Sequence, residues 1–357
     1  MGVGTDTVRG RKVVTDGDRE TEYSVGKAGL CGKLGIGCWK KEGEGPLAPF
    51  FDEIETDDQL GQDNWEEAES MLQQKAARLA IKKAGCCPED IRIIFAGDLL
   101  AQSIASSFGI GELERPMYGV FGACSTMGEA LSLGAITVSA GHGERVLAVT
   151  SSHFATAEKE FRFPLGYGNQ RPLSASWTVT GSGACVLNRK KGRVKITGLT
   201  IGKVVDYGLK DSQNMGACMA PAACSTIVQN LKDFGRKPEE YDQIITGDLG
   251  YIGQQILLDL LEKEGYQAGK NHKDCGILMY DQKTQDTHAG GSGCGCSASV
   301  LAGYILPKIA CGDWKRVLFV PTGALMSKVS FYEGNSVPGI AQGVVLEWEE
   351  GEVEQTC

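Results

Sequence analysis

With 357 residues, 42% of them hydrophobic and 23% charged, the chain has an ordinary globular composition and is long enough to bury two core-bearing units. A net charge of −9 with no lysine- or arginine-rich block argues against nucleic acid as a partner. No apolar stretch approaches the roughly 18 residues that cross a bilayer, so any membrane contact is expected to be peripheral or through a partner.

Thirteen cysteines, an odd number, without the apolar run of a secretion signal predict free thiols in a reducing compartment. Cys294-Gly295-Cys296 lies near His288 but lacks the spacing of a zinc site. Neither a metal nor another cofactor is expected.

Lys12-Val13-Val14 reads as a strand and is followed by a glycine-rich stretch from Gly26 to Gly45. The segment from Asp52 to Asp63 is acidic, with little apolar periodicity, and reads as a surface loop. Asp63 or Asn64 can cap the next helix, on which Trp65, Ala68, Leu72, Ala76 and Leu79 recur at helical spacing until Gly85 closes it. After the Pro88-Glu89-Asp90 turn, Ile91 to Ala96 has the continuous apolar character of a strand covered on both faces.

An apolar run from Met117 to Val120 then leads into Phe121-Gly122-Ala123-Cys124-Ser125-Thr126 and an apolar-periodic helix reaching about Ser139. Cys124 therefore stands at a helix start, where unpaired N–H groups favour negative charge and can depress a thiol pKa. That suits a nucleophile or an anion seat; a small buried residue at a tight contact is the plain alternative. His142 and His272 are expected in exposed turns.

The layout recurs. An offset of 150 residues relates Gly85 to Gly235, Pro88 to Pro238, Glu89 to Glu239, Gly97 to Gly247 and Asp98 to Asp248. Pro221 is expected to open the second copy of the first helix. Gly291-Ser292-Gly293-Cys294 starts the second copy of the Cys124 helix, and Arg-Val-Leu follows both, at Arg145 and Arg316. Gly183 to Leu187 finds an echo in Gly343 to Leu346. The halves, 1–189 and 190–357, divide at a hairpin-like link near Arg189-Lys190-Lys191-Gly192. Two copies of a β–α–β–α–β layout predict packed mixed sheets with helices between and outside them, and a pseudo-two-fold that brings the two glycine-rich helix starts together.

These residues resemble the thiolase fold, a duplicated α-β-α-β-α sandwich with two mixed five-stranded sheets, in which a nucleophilic cysteine sits where Cys124 sits. A narrower resemblance rests on Ala96-Gly97-Asp98-Leu99-Leu100, Phe121 to Thr126, Thr150-Ser151-Ser152-His153, Thr178 to Gly183, Met219 to Ala223 and Ala289 to Cys294. These motifs are similar to those of the stage V sporulation protein AD family of spore-forming bacteria. The resemblance implies a peripheral component of a membrane channel complex at the spore inner membrane. Such a component would bind dipicolinic acid, alone or with calcium, during uptake in sporulation and release in germination. It also implies a homodimer and stage V sporulation A membrane proteins as partners.

Relative to condensing enzymes of this fold, the second-half loop expected to carry a histidine reads Gly247-Asp248-Leu249, so only Cys124 carries over. The chain is therefore expected to be non-catalytic; a Cys124-dependent acyltransferase or condensing enzyme is the alternative. Dipicolinate, flat and doubly anionic, wants donors at two carboxylates and apolar faces for its ring. The expected ligand-binding residues are Cys124, Ser125, Thr126, His153, Arg162, Tyr167, Trp177 and Ser292, with Lys159, Phe163 and Arg171 in the same region. His153 has a core role as its alternative, Arg171 a loop-ordering one. Asp98 and Asp248, equivalent across the repeat, are expected to be structural caps.

Overall fold

A computed structural model describes residues 24–25, 35–100, 102–161, 171–189 and 192–350. The strand expected at Lys12 to Val14 lies outside them.

Two five-strand sets share one order and one set of directions. In the first, Ile93–Gly97 runs parallel to Met117–Gly119 on one side and to Arg145–Ser152 on the other. Gly181–Asn188 follows antiparallel, then Gly35–Cys38. In the second, Gln243–Thr246 runs parallel to His272–Asp274 and Arg316–Val320, followed by antiparallel Gly343–Trp348 and Val194–Thr200. The strands flanking the 189–192 link do not form the expected hairpin. Each pairs with the two-residue strand Ser24–Val25, which lies between them and joins both sets into one hydrogen-bonded path.

The period-2 alternation of the central strands sorts side chains into layers. Val146, Ala148, Cys185, Leu187, Val317, Phe319, Val344 and Leu346 face an inner core with Met127, Leu131, Ala135, Leu301 and Ile305 of the two middle helices. Their neighbours Leu147, Val149, Ala184 and Val186 face outward, against Leu72, Ala76 and Ala80 of the Trp65–Lys83 helix. Leu318, Val320 and Val345 face the Met215–Phe234 and Gly250–Lys263 helices. Strands covered on both faces read as unbroken apolar runs for this reason.

The first outer helix forms as its periodicity predicts. Asn64 Oδ1 accepts the Glu67 N–H at 3.0 Å, and Gly85 adopts the left-handed conformation (φ 64°) that releases the chain.

Three local expectations are corrected. The acidic segment after Pro46 is not all loop: Phe51–Glu55 is a strand parallel to Gly35–Cys38. Phe51 anchors it in the core, while Asp52 bonds Lys83 at 2.5 Å and Glu53 and Glu55 meet Lys75. Pro221 does not open its helix but stands inside Met215–Phe234, its ring buried between Ala220 and Ala222. His272 is not in an exposed turn: it is a buried strand residue, bonded to Thr246 and Gln254, and burial lowers its pKa to about 4.

Candidate functional site

The Ile93–Gly97, Met117–Gly119 and Gln243–Thr246 strands end towards one place. The chain turns into the Thr126–Ser139 helix there through Ala123, whose φ of 52° is unfavourable for a residue with a Cβ and makes the turn sharp. The turn is closed from within. Ser125 donates to the Gly122 carbonyl through Oγ (2.7 Å) and N–H (3.1 Å). Thr126 donates to the Ala123 carbonyl through Oγ1 (2.5 Å) and N–H (3.3 Å), and its Oγ1 accepts the Gly122 N–H at 3.1 Å. The donors of Ser125 and Thr126 are thus engaged by the chain's own carbonyls rather than free for a carboxylate. Gly323 packs against this turn so closely that a Cβ there would fall 2.2 Å from the Gly122 carbonyl oxygen.

Cys124 is buried, and its thiol faces the Asp248 carboxyl group. Burial first, and the Asp248 charge second, raise the thiol pKa well above its ordinary value. A helix start can lower a thiol pKa; here desolvation beside a carboxyl group wins, as for the small buried residue that was the plain alternative. Asp248 also accepts the Gly293 N–H at 2.9 Å and the Thr322 hydroxyl at 2.8 Å. Burial outweighs these bonds and lifts its pKa to about 7. A thiol held protonated by a carboxyl group is the reverse of an activated nucleophile.

None of the four histidines supplies an imidazole to this sulfur. His142 is exposed beyond the far end of the Thr126–Ser139 helix, about 20 Å along its axis from Cys124. His153 accepts the Ala155 N–H on Nδ1 (3.1 Å), which leaves Nε2 to donate to the Asp58 carbonyl (2.8 Å). His272 is committed as above, and His288 bonds the Pro172 carbonyl (2.9 Å) and Asp286.

The other expected residues fall into two groups. Thr178 pairs in parallel with Ser292, and Trp177 with Gly291, one step from the Gly293 N–H at Asp248. The Trp177 ring stacks on Phe154 at 4.0 Å, with the Lys41 ammonium 3.3 Å from its centroid and the Arg171 guanidinium carbon at 4.7 Å. His153 lies instead at the start of the Phe154–Phe161 helix, holding the 58 loop, and Lys159 meets Glu66 at 3.6 Å. Arg162, Phe163 and Tyr167 lie outside the described residues.

Asp248, read from sequence as a cap, is a partner of Cys124. Its mate Asp98 does cap a turn, accepting the Leu100 and Ser106 N–H groups at 2.9 Å each. Burial first, and the Asp98 charge second, raise the Cys294 thiol pKa, as burial and Asp248 do for Cys124. The signal was present in the sequence: the acid stands in the loop where a histidine was expected.

A family model described as Stage V sporulation protein AD (SpoVAD) matches residues 30–347. The chain is 43% identical over 313 residues to Stage V sporulation protein AD of Bacillus subtilis (strain 168), spanning 88% of this chain and 92% of that one. Among solved structures it is similar to 3-oxoacyl-(acyl-carrier-protein) synthase III from Aquifex aeolicus VF5, with a TM-score of 0.53 and 16% identity over 78% of this chain and 84% of that one. It is also similar to cerulenin-bound OleA of Xanthomonas campestris, with a TM-score of 0.55 and 18% identity over 92% and 97%. At these identities the structural likeness establishes a thiolase-like fold and nothing finer.

Proposed function

Because the chain belongs to the stage V sporulation protein AD family, and so to sporulation, we propose that it is a non-catalytic binder of dipicolinic acid, alone or as its calcium chelate. In this reading it serves a spore inner-membrane channel complex in uptake and release of the acid. The observation that carries the non-catalytic part is the Cys124–Asp248 pair, a thiol kept neutral by a carboxyl group where acyl transfer needs a thiolate and an imidazole. The cations around Trp177, one strand from that pair, support an anionic aromatic ligand.

No helix among the described residues is long and apolar enough to cross a membrane. A peripheral place, held by stage V sporulation A membrane proteins, fits that. A homodimer fits the open edge of Met117–Gly119, which ends the strand path and carries Tyr118, 63% exposed.

Calorimetric titration with dipicolinic acid tests the reading. A saturable heat that weakens with salt is expected; no heat at millimolar ligand counts against it. The fold's condensing relatives and Cys124 at a helix start favour acyl transfer as a second reading. Mass spectrometry after incubation with acyl-CoA separates the two: an adduct that vanishes in Cys124→Ser restores the enzyme.

A further inference from the structure

We infer that Arg171, flanked by Lys41 and Trp177, is the anchor for one carboxylate of a planar aromatic acid; this rests on the dipicolinate-binding reading and assigns it a contact.

Arg171 is buried, with its side chain 2% exposed. Nη2 donates to the Asp286 carbonyl at 2.9 Å and lies 3.1 Å from the Asp286 carboxylate. Nε and Nη1 are equally buried and have no hydrogen-bond partner among the described residues. Buried guanidinium groups are almost always satisfied, because each desolvated donor left unmet is costly. Two unmet donors on one buried cation call for an acceptor that the described residues do not provide.

The surrounding charge points the same way. The carboxylate in contact with Arg171, that of Asp286, is 75% exposed and shared with water. Lys41 donates to the same Asp286 carbonyl at 3.0 Å, bringing a second cation to the cluster. Burial and the nearby Arg171 both lower the Lys41 pKa, and the Asp286 and Glu42 charges only partly oppose them. The neighbouring Glu42 does not balance them. Its Oε1 accepts from Tyr280 and from the Thr180 N–H at 3.1 Å, and burial raises its pKa to about 8.

Chemically, the cluster combines unmet N–H donors, two neighbouring cations and a stacked Phe154–Trp177 pair. An aromatic carboxylate meets all three demands: its oxygens take the donors and its ring packs beside the stacked aromatic pair. A simple inorganic anion would use only the first two. Trp177 and Thr178 pair with Gly291 and Ser292, so the cluster is tied by one strand to the Cys124–Asp248 pair.

The test titrates wild type, Arg171→Gln and Arg171→Lys with pyridine-2,6-dicarboxylate and with pyridine-2-carboxylate, by calorimetry, with thermal melts to confirm folding. Wild type is expected to prefer the dicarboxylate. In Arg171→Gln that preference should fall about 10- to 100-fold, the loss expected for a charged hydrogen bond. Arg171→Lys keeps the charge but loses the planar donors; it should lose preference in the same direction, and it carries the test if the glutamine variant does not fold. Unchanged affinities overturn the inference and leave the binding reading intact. So does an equal loss for both ligands, which is what a residue that only braces the Asp286 loop would give. No binding of the dicarboxylate by wild type overturns both.

Discussion

The carboxyl group of Asp248, just past the end of a second-half strand, faces the thiol of Cys124, at the start of a first-half helix, and helps to raise its pKa. The pairing crosses the repeat, and together with burial it keeps the sulfur protonated. A thiolate beside a buried carboxyl group would be unfavourable on two counts, desolvation and like charge, so the proton stays on sulfur. The Gly293 N–H lies against the same sulfur and only partly opposes this.

The first prediction concerns reactivity. Cys87 and Cys311 are exposed, whereas Cys124 is buried with a raised pKa. Native protein treated with iodoacetamide near pH 8 should be alkylated at Cys311 and Cys87 well before Cys124, as read by peptide mass spectrometry. Asp248→Ala removes the charge and opens space, and should speed Cys124 labelling by roughly tenfold for each pKa unit recovered. Labelling of wild-type Cys124 as fast as Cys311 would contradict a guarded thiol.

A second prediction concerns pH. Glu42 is fully buried with a folded pKa of about 8, against 4.5 as its ordinary value. Between those values the folded protein keeps the proton and the unfolded chain releases it. This carboxyl group therefore costs stability progressively as pH rises from about 4.5 to about 8, on the order of a few kcal/mol in total. Glu42→Gln removes the titration while its carbonyl can keep the bonds to Tyr280 and Thr180. Melts at pH 5 and pH 8.5 should show the variant gaining on wild type at the higher pH; a pH-independent difference would refute the assignment.

Within the Thr126–Ser139 helix, Leu131 is 1% exposed and Leu133 39%. Leu131→Ala should lose about 2–5 kcal/mol in urea unfolding, since it empties part of the inner core. Leu133→Ala should change stability by about 0.5 kcal/mol or less. Equal losses at both positions would place the helix with the wrong face inward.

The proposed dimer has its own measurement. Tyr118 stacks on Phe95 at 5.8 Å in the strand that ends the path. Light scattering on wild type should give the mass of two chains, and Gly119→Pro, which removes an N–H directed at the open edge, should give one. A wild-type monomer at tens of micromolar ends that proposal.

The repeat was legible because turns are written in residues that tolerate few substitutes. Gly85 and Gly235 both take positive φ at helix ends, and Pro88 and Pro238 both open short turns before a strand. The buried strands were legible because a strand covered on both faces has no polar side to show. Phe51–Glu55 was not legible: its charged residues disguise a strand whose partners, Gly35–Cys38 and the lysines of the Trp65–Lys83 helix, are set by packing. Pro221 escaped for a similar reason, since local rules place proline at helix starts and only a buried small-residue contact keeps it inside one.

By itself, then, the sequence determined the duplicated layout, the strand-to-helix turn that presents Cys124 and the loop in which Asp248 stands. Tertiary structure alone decided which of these groups meet, and hence that the sulfur is protonated, that His153 is bound to the 58 loop and that Arg171 is buried with donors to spare. The physical reason is distance: Cys124, Asp248 and Thr322 are far apart along the chain, and hydrogen bonds and desolvation act only between groups the fold has brought into contact.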